Sequence, residues 1–313
     1  MNKRLRIVFM GSPDFAVPTL RAVHEHHEVV AVVTQPDRPK GRGRALAAPP
    51  VKIAAEELGL EPVLQPQTLR RRAVREQLAA FGADCFVVVA FGQILRPRLL
   101  TVPRLGCVNV HGSLLPRHRG AAPIQWAVLD GDDESGVTIL QMDAGVDTGP
   151  TLLSRPLTLA ADETAGSLHD RLAPLGAEAL LQALEGLAEG GLEATPQPRE
   201  GVTHARMLDK RDGEVDWSWP GQRVDCWIRG MDPWPGAFTT SDNDRLKLFT
   251  SAYAPAQRGP TGEVLAIDDR GALVGAGEGA VWVRELQLPG RKRMSAAALA
   301  SGRALAVGQR LGR

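Results

Sequence analysis

Arg6-Ile7-Val8-Phe9-Met10-Gly11-Ser12-Pro13-Asp14 starts as a run of apolar, β-type residues and ends on residues that start a helix. Ser12 has the hydroxyl of a helix cap, and Pro13 suits a first helical turn, where its missing N–H would have no partner. A second apolar run, 29–33, follows one helix length later, which is the spacing of a β-α-β unit. Working outward, further buried-strand runs stand at 85–90, 107–110 and 137–141. Helical stretches at 51–58, 70–81, 123–129 and 167–187 separate or follow them. Short apolar runs alternating with amphipathic helices predict an α/β fold: a Rossmann-like, mostly parallel sheet with helices on both faces.

The pattern changes near residue 188. Gly190-Gly191 and Thr195-Pro-Gln-Pro-Arg-Glu-Gly201 are turn-forming rather than core-forming. Beyond them, alternating runs at 246–250, 262–267 and 280–286 and a helix at 223–229 predict a small β-rich domain. The expected division is therefore 1–188, a linker 189–208, and 209–313. At 313 residues the chain has room for two domains, and 43% hydrophobic against 23% charged residues is the balance of a chain with a real core. A formal charge of +1 gives no global field toward nucleic acid or membrane, so an anionic partner must be met locally. Three cysteines without a CxxC exclude a disulfide framework and a cysteine zinc site and fit a reducing cytoplasm. The apolar run behind the basic N-terminus is too short for a signal peptide or membrane span.

Chemistry concentrates in Asn109-Val-His-Gly-Ser-Leu-Leu-Pro-Arg-His-Arg-Gly-Ala-Ala-Pro123. If 108–111 ends a strand, Asn109 and His111 are two apart and share a face. In an open α/β sheet, ligands sit beyond the carboxyl ends of strands, where this pair would lie. Taken alone, such a pair reads better as a hydrogen-bonded strand end than as a site. Met142-Asp-Ala-Gly-Val-Asp-Thr-Gly149 forms a tight glycine- and aspartate-rich loop after the next strand, and Asp147 there could orient and charge His111. The sequence has no GxGxxG after the first strand, no GxxxxGK[ST], no GxSxG and no metal-spaced set, which argues against dinucleotide, P-loop and serine-hydrolase chemistry. His24, His26 and His27 read as a surface cluster. In the segment 34–52, Arg38, Lys40, Arg42, Arg44 and Lys52 face Asp37 alone, and its prolines and glycines predict a basic, irregular loop suited to phosphates.

These stretches, together with Phe9-Met-Gly-Ser-Pro-Asp-Phe15, Gln35-Pro-Asp37, Ala90-Phe-Gly-Gln-Ile-Leu95, Asp216-Trp217 and Pro233-Trp-Pro235, resemble the methionyl-tRNA formyltransferases, a family of folate-dependent formyltransferases. The resemblance implies transfer of the formyl group of 10-formyltetrahydrofolate, a cosubstrate, to the α-amino group of initiator methionyl-tRNA for translation initiation, without a metal. It implies Asn109, His111 and Asp147 as the catalytic set, with a protonated His111 and the Asn109 amide meeting the formyl oxygen. It implies Ser113, Leu114, Leu115 and Pro116 as the folate signature, with Phe91, Gln93, Ile94 and Leu95 around the pterin. The second domain would be an OB-like barrel contacting tRNA, in a cytoplasmic monomer. Phe91 stands where the family pattern has Tyr, and Arg96 separates Leu95 from Pro97. A formyltransferase acting on a nucleotide or sugar amine is the runner-up reading, and the basic loop and second domain argue against it.

Overall fold

The computed structural model describes residues 4–40, 45–241 and 244–312. The chain runs β1 (Arg6–Gly11), α1 (Val17–His26), β2 (Glu28–Val33), β3 (Arg38–Lys40), β4 (Ala45–Ala47), α2 (Pro50–Glu57), β5 (Val63–Leu64), α3 (Arg72–Ala80) and β6 (Cys85–Val89). It continues through α4 (Pro97–Leu100), β7 (Cys107–His111), β8 (Arg119–Gly120), α5 (Pro123–Leu129), β9 (Glu134–Gln141), β10 (Thr151–Thr158) and α6 (Ala165–Glu189). The rest comprises β11 (His204–Ala205), α7 (Gly221–Gly230), β12 (Phe238–Ser241), β13 (Asp244–Ala254), β14 (Val264–Asp268), β15 (Gly271–Gly275), β16 (Ala280–Gln287), β17 (Met294–Ser295) and α8 (Ala296–Ser301).

A seven-stranded sheet has the order β10-β9-β7-β6-β1-β2-β5. β1 pairs in parallel with both β2 and β6, β6 pairs in parallel with β7, and β9 is antiparallel to β7. The five apolar runs read as strands are its β1, β2, β6, β7 and β9. All but the first residue of β1 and all of β6 are buried, as strands inside a parallel sheet require. Val8, Met10, Phe86, Val88, Phe91 and Leu95 share one core cluster. Burying side chains of this size contributes about 1.5–3 kcal/mol each. Because β2 and β6 flank β1 on opposite sides, the topology reverses at β1/β6, and the carboxyl ends of these strands are where an open α/β sheet places its ligands.

The C-terminal residues form a separate six-stranded antiparallel sheet, β12-β13-β16-β15-β14 with β17 on β16. α7 packs on β13. Two compact units emerge, and their boundary is discontinuous: residues 124–134 and 158–168 cluster with 205–313.

Four local expectations differ from the structure. Ser12 does not cap the following turn: Pro13 occupies that position, and the Ser12 hydroxyl accepts from the Gln35 backbone N–H at 3.1 Å and donates to the Phe91 carbonyl at 3.4 Å. His27 is no surface residue. It is 7% exposed and accepts from the Leu5 backbone N–H, and its pKa is lowered chiefly by burial. The basic segment, expected to be irregular, contains two short antiparallel strands, β3 and β4, with Pro39 opposite Leu46. Lys52 is paired with Asp37 at 2.9 Å. Finally, the stretch read as a linker is stitched down: Thr195 and Thr151 exchange two backbone hydrogen bonds at 2.8 Å.

Candidate active site

β7, next to β6 in the sheet, carries Asn109, half-buried, and His111, 5% exposed. Two residues apart on one strand, they project to one side. The loop after β9 brings Asp147 to both: the Asn109 amide donates to Asp147 Oδ1 at 3.5 Å, and His111 Nδ1 lies 3.6 Å from the same oxygen. Asp147 Oδ2 accepts from the Gly120 backbone N–H at 2.8 Å, so the carboxylate is aimed from both ends. The loop can close this tightly because residue 149 is glycine. A Cβ there would overlap the Gln141 carbonyl oxygen.

His111 Nε2 lies 3.0 Å from the His118 carbonyl oxygen. A carbonyl only accepts, so Nε2 carries the proton and, in the neutral ring, Nδ1 carries the lone pair facing Asp147. Burial is the largest influence on this imidazole and lowers its pKa from the usual 6.5, outweighing the Asp147 carboxylate and the His118 carbonyl, which raise it. In the free protein the low-dielectric surroundings disfavour the imidazolium, while the Asp147 carboxylate favours it.

Three of the non-glycine residues with left-handed backbone lie here: Ala90 (φ 46°), His118 (φ 57°) and Asp147 (φ 53°). Each such conformation carries about 1–3 kcal/mol of strain, and such strain collects at functional sites. Ala90 opens the loop after β6. Within that loop the anticipated pterin contacts divide. Phe91 and Leu95 are each 2% exposed and belong to the core cluster. Gln93 spans to the Leu69 N–H at 3.0 Å and the Pro66 carbonyl at 3.1 Å, and Ile94 is 70% exposed. Ser113 is fully buried and donates to the Arg117 carbonyl at 2.7 Å, while Leu114, Leu115 and Pro116 are half-buried. Arg38 is exposed and donates to Gln35 at 3.3 Å. The side chain of Lys40, and Arg42 and Arg44 altogether, lie outside the described residues.

Several supporting residues carry no local signal in the sequence. Gln197, inside the supposed linker, donates to the carbonyls of Asp147 at 2.9 Å and Gly149 at 2.7 Å and accepts from Arg119 at 2.6 Å. It therefore pins the Asp147 loop. Thr203 accepts from the His118 backbone N–H at 2.8 Å, holding the carbonyl that orients His111. Buried Thr138 donates to the Ser113 carbonyl at 2.7 Å and accepts from Leu115 N–H at 3.1 Å. Only His118 had a signal, a second histidine within the densest stretch.

A family model described as formyl transferase matches residues 5–184, and one described as formyl transferase, C-terminal domain, matches 207–304. The chain is 50% identical over 309 residues to the methionyl-tRNA formyltransferase of Geobacter metallireducens, covering 98% of this chain and 99% of that one. It is 50% identical over 296 residues to that of Xanthomonas axonopodis, covering 94% and 96%. Among solved structures, HypX from Aquifex aeolicus in complex with tetrahydrofolic acid aligns with a TM-score of 0.65 at 18% identity, over 98% of this chain and 49% of that one. The sugar 3N-formyltransferase WlaRD aligns at 0.68 and 16%, over 93% and 100%. The structural likenesses show a shared fold.

Proposed function

The chain belongs to the formyl transferase family, among its methionyl-tRNA formyltransferases, and from that premise we propose that Asn109, His111 and Asp147 carry formyl transfer from 10-formyltetrahydrofolate to initiator methionyl-tRNA. The enzyme moves a folate-borne formyl group onto the amino group of a tRNA-bound methionine. One observation carries the assignment of residues: an amide, an imidazole and a carboxylate converge within 3.6 Å at the carboxyl end of β7.

The mechanism follows from the groups. Attack of the neutral α-amine on the formyl carbon forms a C–N bond and puts negative charge on the formyl oxygen. The Asn109 N–H groups are the donors suited to that oxygen. The attacking nitrogen must shed a proton. Neutral His111 offers the Nδ1 lone pair for it, and the imidazolium that forms then faces Asp147. As the bond to folate N10 breaks, the same proton passes to N10, so the ring returns to its starting state. No nucleophilic serine or cysteine is needed, since an α-amine with a reference pKa of about 7.7–8.0 is substantially neutral near pH 7.5. The buried Phe91 and Leu95 leave the backbone of 90–95 and the exposed Ile94 as the surfaces for the pterin, beside Ser113, Leu114, Leu115 and Pro116. Arg38, Lys40, Arg42 and Arg44 are assigned to tRNA phosphates. The enzyme is taken to act as a cytoplasmic monomer; among the described residues no helix is long and apolar enough to cross a membrane.

The assay that tests the function compares formylation of initiator and elongator methionyl-tRNAs by the purified protein. Formylation of the initiator with little of the elongator is expected, and formylation of neither would overturn the reading. The proton-acceptor role is checked by titrating isotope-labelled imidazole in NMR. His111 should titrate below 6.5, and Asp147→Asn should lower its midpoint further, because the lost carboxylate is a group that raises it. A midpoint above 6.5 would restore the acid-donor role. Among the described residues no three His, Cys, Asp or Glu cluster at metal distance. Activity should therefore survive dialysis against EDTA once the Mg²⁺ that structures tRNA is restored, and rescue by zinc alone would contradict this. For the basic segment, Arg42→Ala with Arg44→Ala should flatten the slope of log affinity for tRNA against log salt by one to two units, at about 0.7–0.9 per phosphate contact. An unchanged slope would remove these residues from the tRNA site.

A further inference from the structure

Trp126 in α5 and Trp227 in α7 wall a cavity of about 640 Å³ that lies wholly within the C-terminal unit. That is the size of a small-ligand site. The two indoles meet edge to face with centroids 6.5 Å apart, and Trp219 stands edge to face with Trp227 at 5.0 Å. Their polar tips are already satisfied. Trp126 donates its indole N–H to the Arg206 carbonyl at 3.0 Å and Trp227 to the Asp212 carbonyl at 2.8 Å, so the rings are fixed and offer an occupant only π surface. Trp126 is the half-buried member and Trp227 the buried one.

Charge in the cavity is asymmetric. Arg206 lies 5.5 Å from the Trp126 ring centroid, but both its terminal nitrogens bind Asp212, at 2.9 and 2.6 Å, which neutralises it. Arg223 is exposed, sits 4.3 Å over the Trp219 ring and has no carboxylate within ion-pair distance among the described residues, although its charge reaches Asp216 and helps hold that carboxyl below its usual range; Asp130, which has a partner of its own, also lines the cavity. Gln222, also exposed, adds an amide that both donates and accepts. An occupant that uses everything present must have a flat π face, a polar edge and one negative group. An apolar side chain would leave the Arg223 guanidinium without a direct anionic partner, and a simple dicarboxylate would leave the indoles uncovered.

We propose that this cavity takes one unstacked nucleotide of an RNA chain, its base against Trp126 and its phosphate at Arg223. The proposal rests on the functional reading above in taking the RNA to be the tRNA substrate. It assigns the Trp126 and Arg223 side chains to the acceptor, where they add affinity and touch none of the reacting atoms.

The test uses the full chain with Arg223→Gln, together with Trp126→Ala and Trp126→Phe. Binding of fluorescein-labelled uncharged tRNA, its salt dependence, formylation kinetics and melting temperature are measured for each. Loss of one stacked base is expected to raise the tRNA Kd about tenfold in Trp126→Ala, with most affinity kept in Trp126→Phe. Arg223→Gln should lower the salt slope by about 0.7–0.9, the value of one phosphate contact. In both, KM should rise with kcat unchanged, and ultraviolet cross-linking to tRNA should map to the peptide holding Trp126 or Trp227. Wild-type Kd and slope in Arg223→Gln would overturn the proposal. So would an AMP titration that fills the cavity without displacing tRNA. A wild-type chain that binds tRNA but fails to formylate it would instead sink the functional reading, and the binding arms would stand.

Discussion

Asn109→Ala is expected to lower kcat by about 10²–10³ while the Kd for a folate analogue stays within a few-fold. The reason is where the charge sits. In the ground state the formyl oxygen is a neutral carbonyl, and the amide N–H adds little to binding. In the tetrahedral state the oxygen is anionic, and the same donor in a site sheltered from water stabilises it by about 3–4 kcal/mol. His111→Ala and Asp147→Ala should each lower kcat by at least about 10², because removing either breaks the proton path from amine to N10. Their double variant should be little worse than the poorer single one, since groups acting as a unit do not add. The hydrogen bonds support this grouping. Asp147 Oδ1 faces both Asn109 and His111, whereas its Oδ2 is taken by the Gly120 N–H. Single-turnover rates and folate affinities for the three alanine variants check the result. Near-normal turnover in His111→Ala would remove the mechanism.

The site was legible in the sequence to the extent that it is built from strand ends. β1, β2 and β6 show as unbroken apolar runs, and β7 and β9 as mainly apolar ones, because they lie inside the sheet, and a strand's period of two puts Asn109 beside His111 without further information. β10 escaped notice because it lies at the sheet edge, where its burial alternates and Ser154, Arg155 and Thr158 read as loop. The residues that brace the site were not legible either. Gln197 binds Asp147 from fifty positions away, and Thr203 reaches His118 across eighty-five. No local periodicity encodes such a meeting, since it depends on the path of a segment whose proline and glycine content argues only for turns. The depth at which His111 lies is of the same kind: a sequence shows that a carboxylate can approach an imidazole, but not how far burial acts against it. The assignment of short segments to the two compact units leaves no trace in composition. Residues 124–134 and 158–168 carry no mark of the unit they join.

Arg229→Met should destabilise the protein by about 3–5 kcal/mol, lowering the melting temperature of the C-terminal unit by about 10 °C. Arg229 and Asp225 lie one turn apart on α7, 9% and 5% exposed, paired at 2.9 Å. The guanidinium also donates to the Glu163 carbonyl at 2.7 Å, and Asp225 Oδ1 accepts from the buried Ser251 hydroxyl at 2.7 Å. Removing the arginine alone leaves a carboxylate in the interior with one hydroxyl for company and strips a buried carbonyl of its donor. The desolvation penalty of that charge then goes unanswered, which is why breaking such a pair costs more than the pair itself contributes. Replacing both residues, Asp225→Leu with Arg229→Met, removes the charge along with its partner and should recover more than half of the loss. Calorimetry on the two variants separates the cases. A single variant within 1 kcal/mol of the wild type would show that water reaches Asp225. A double variant as unstable as the single would show that the Glu163 carbonyl and the Ser251 hydroxyl, not the unpaired carboxylate, set the penalty.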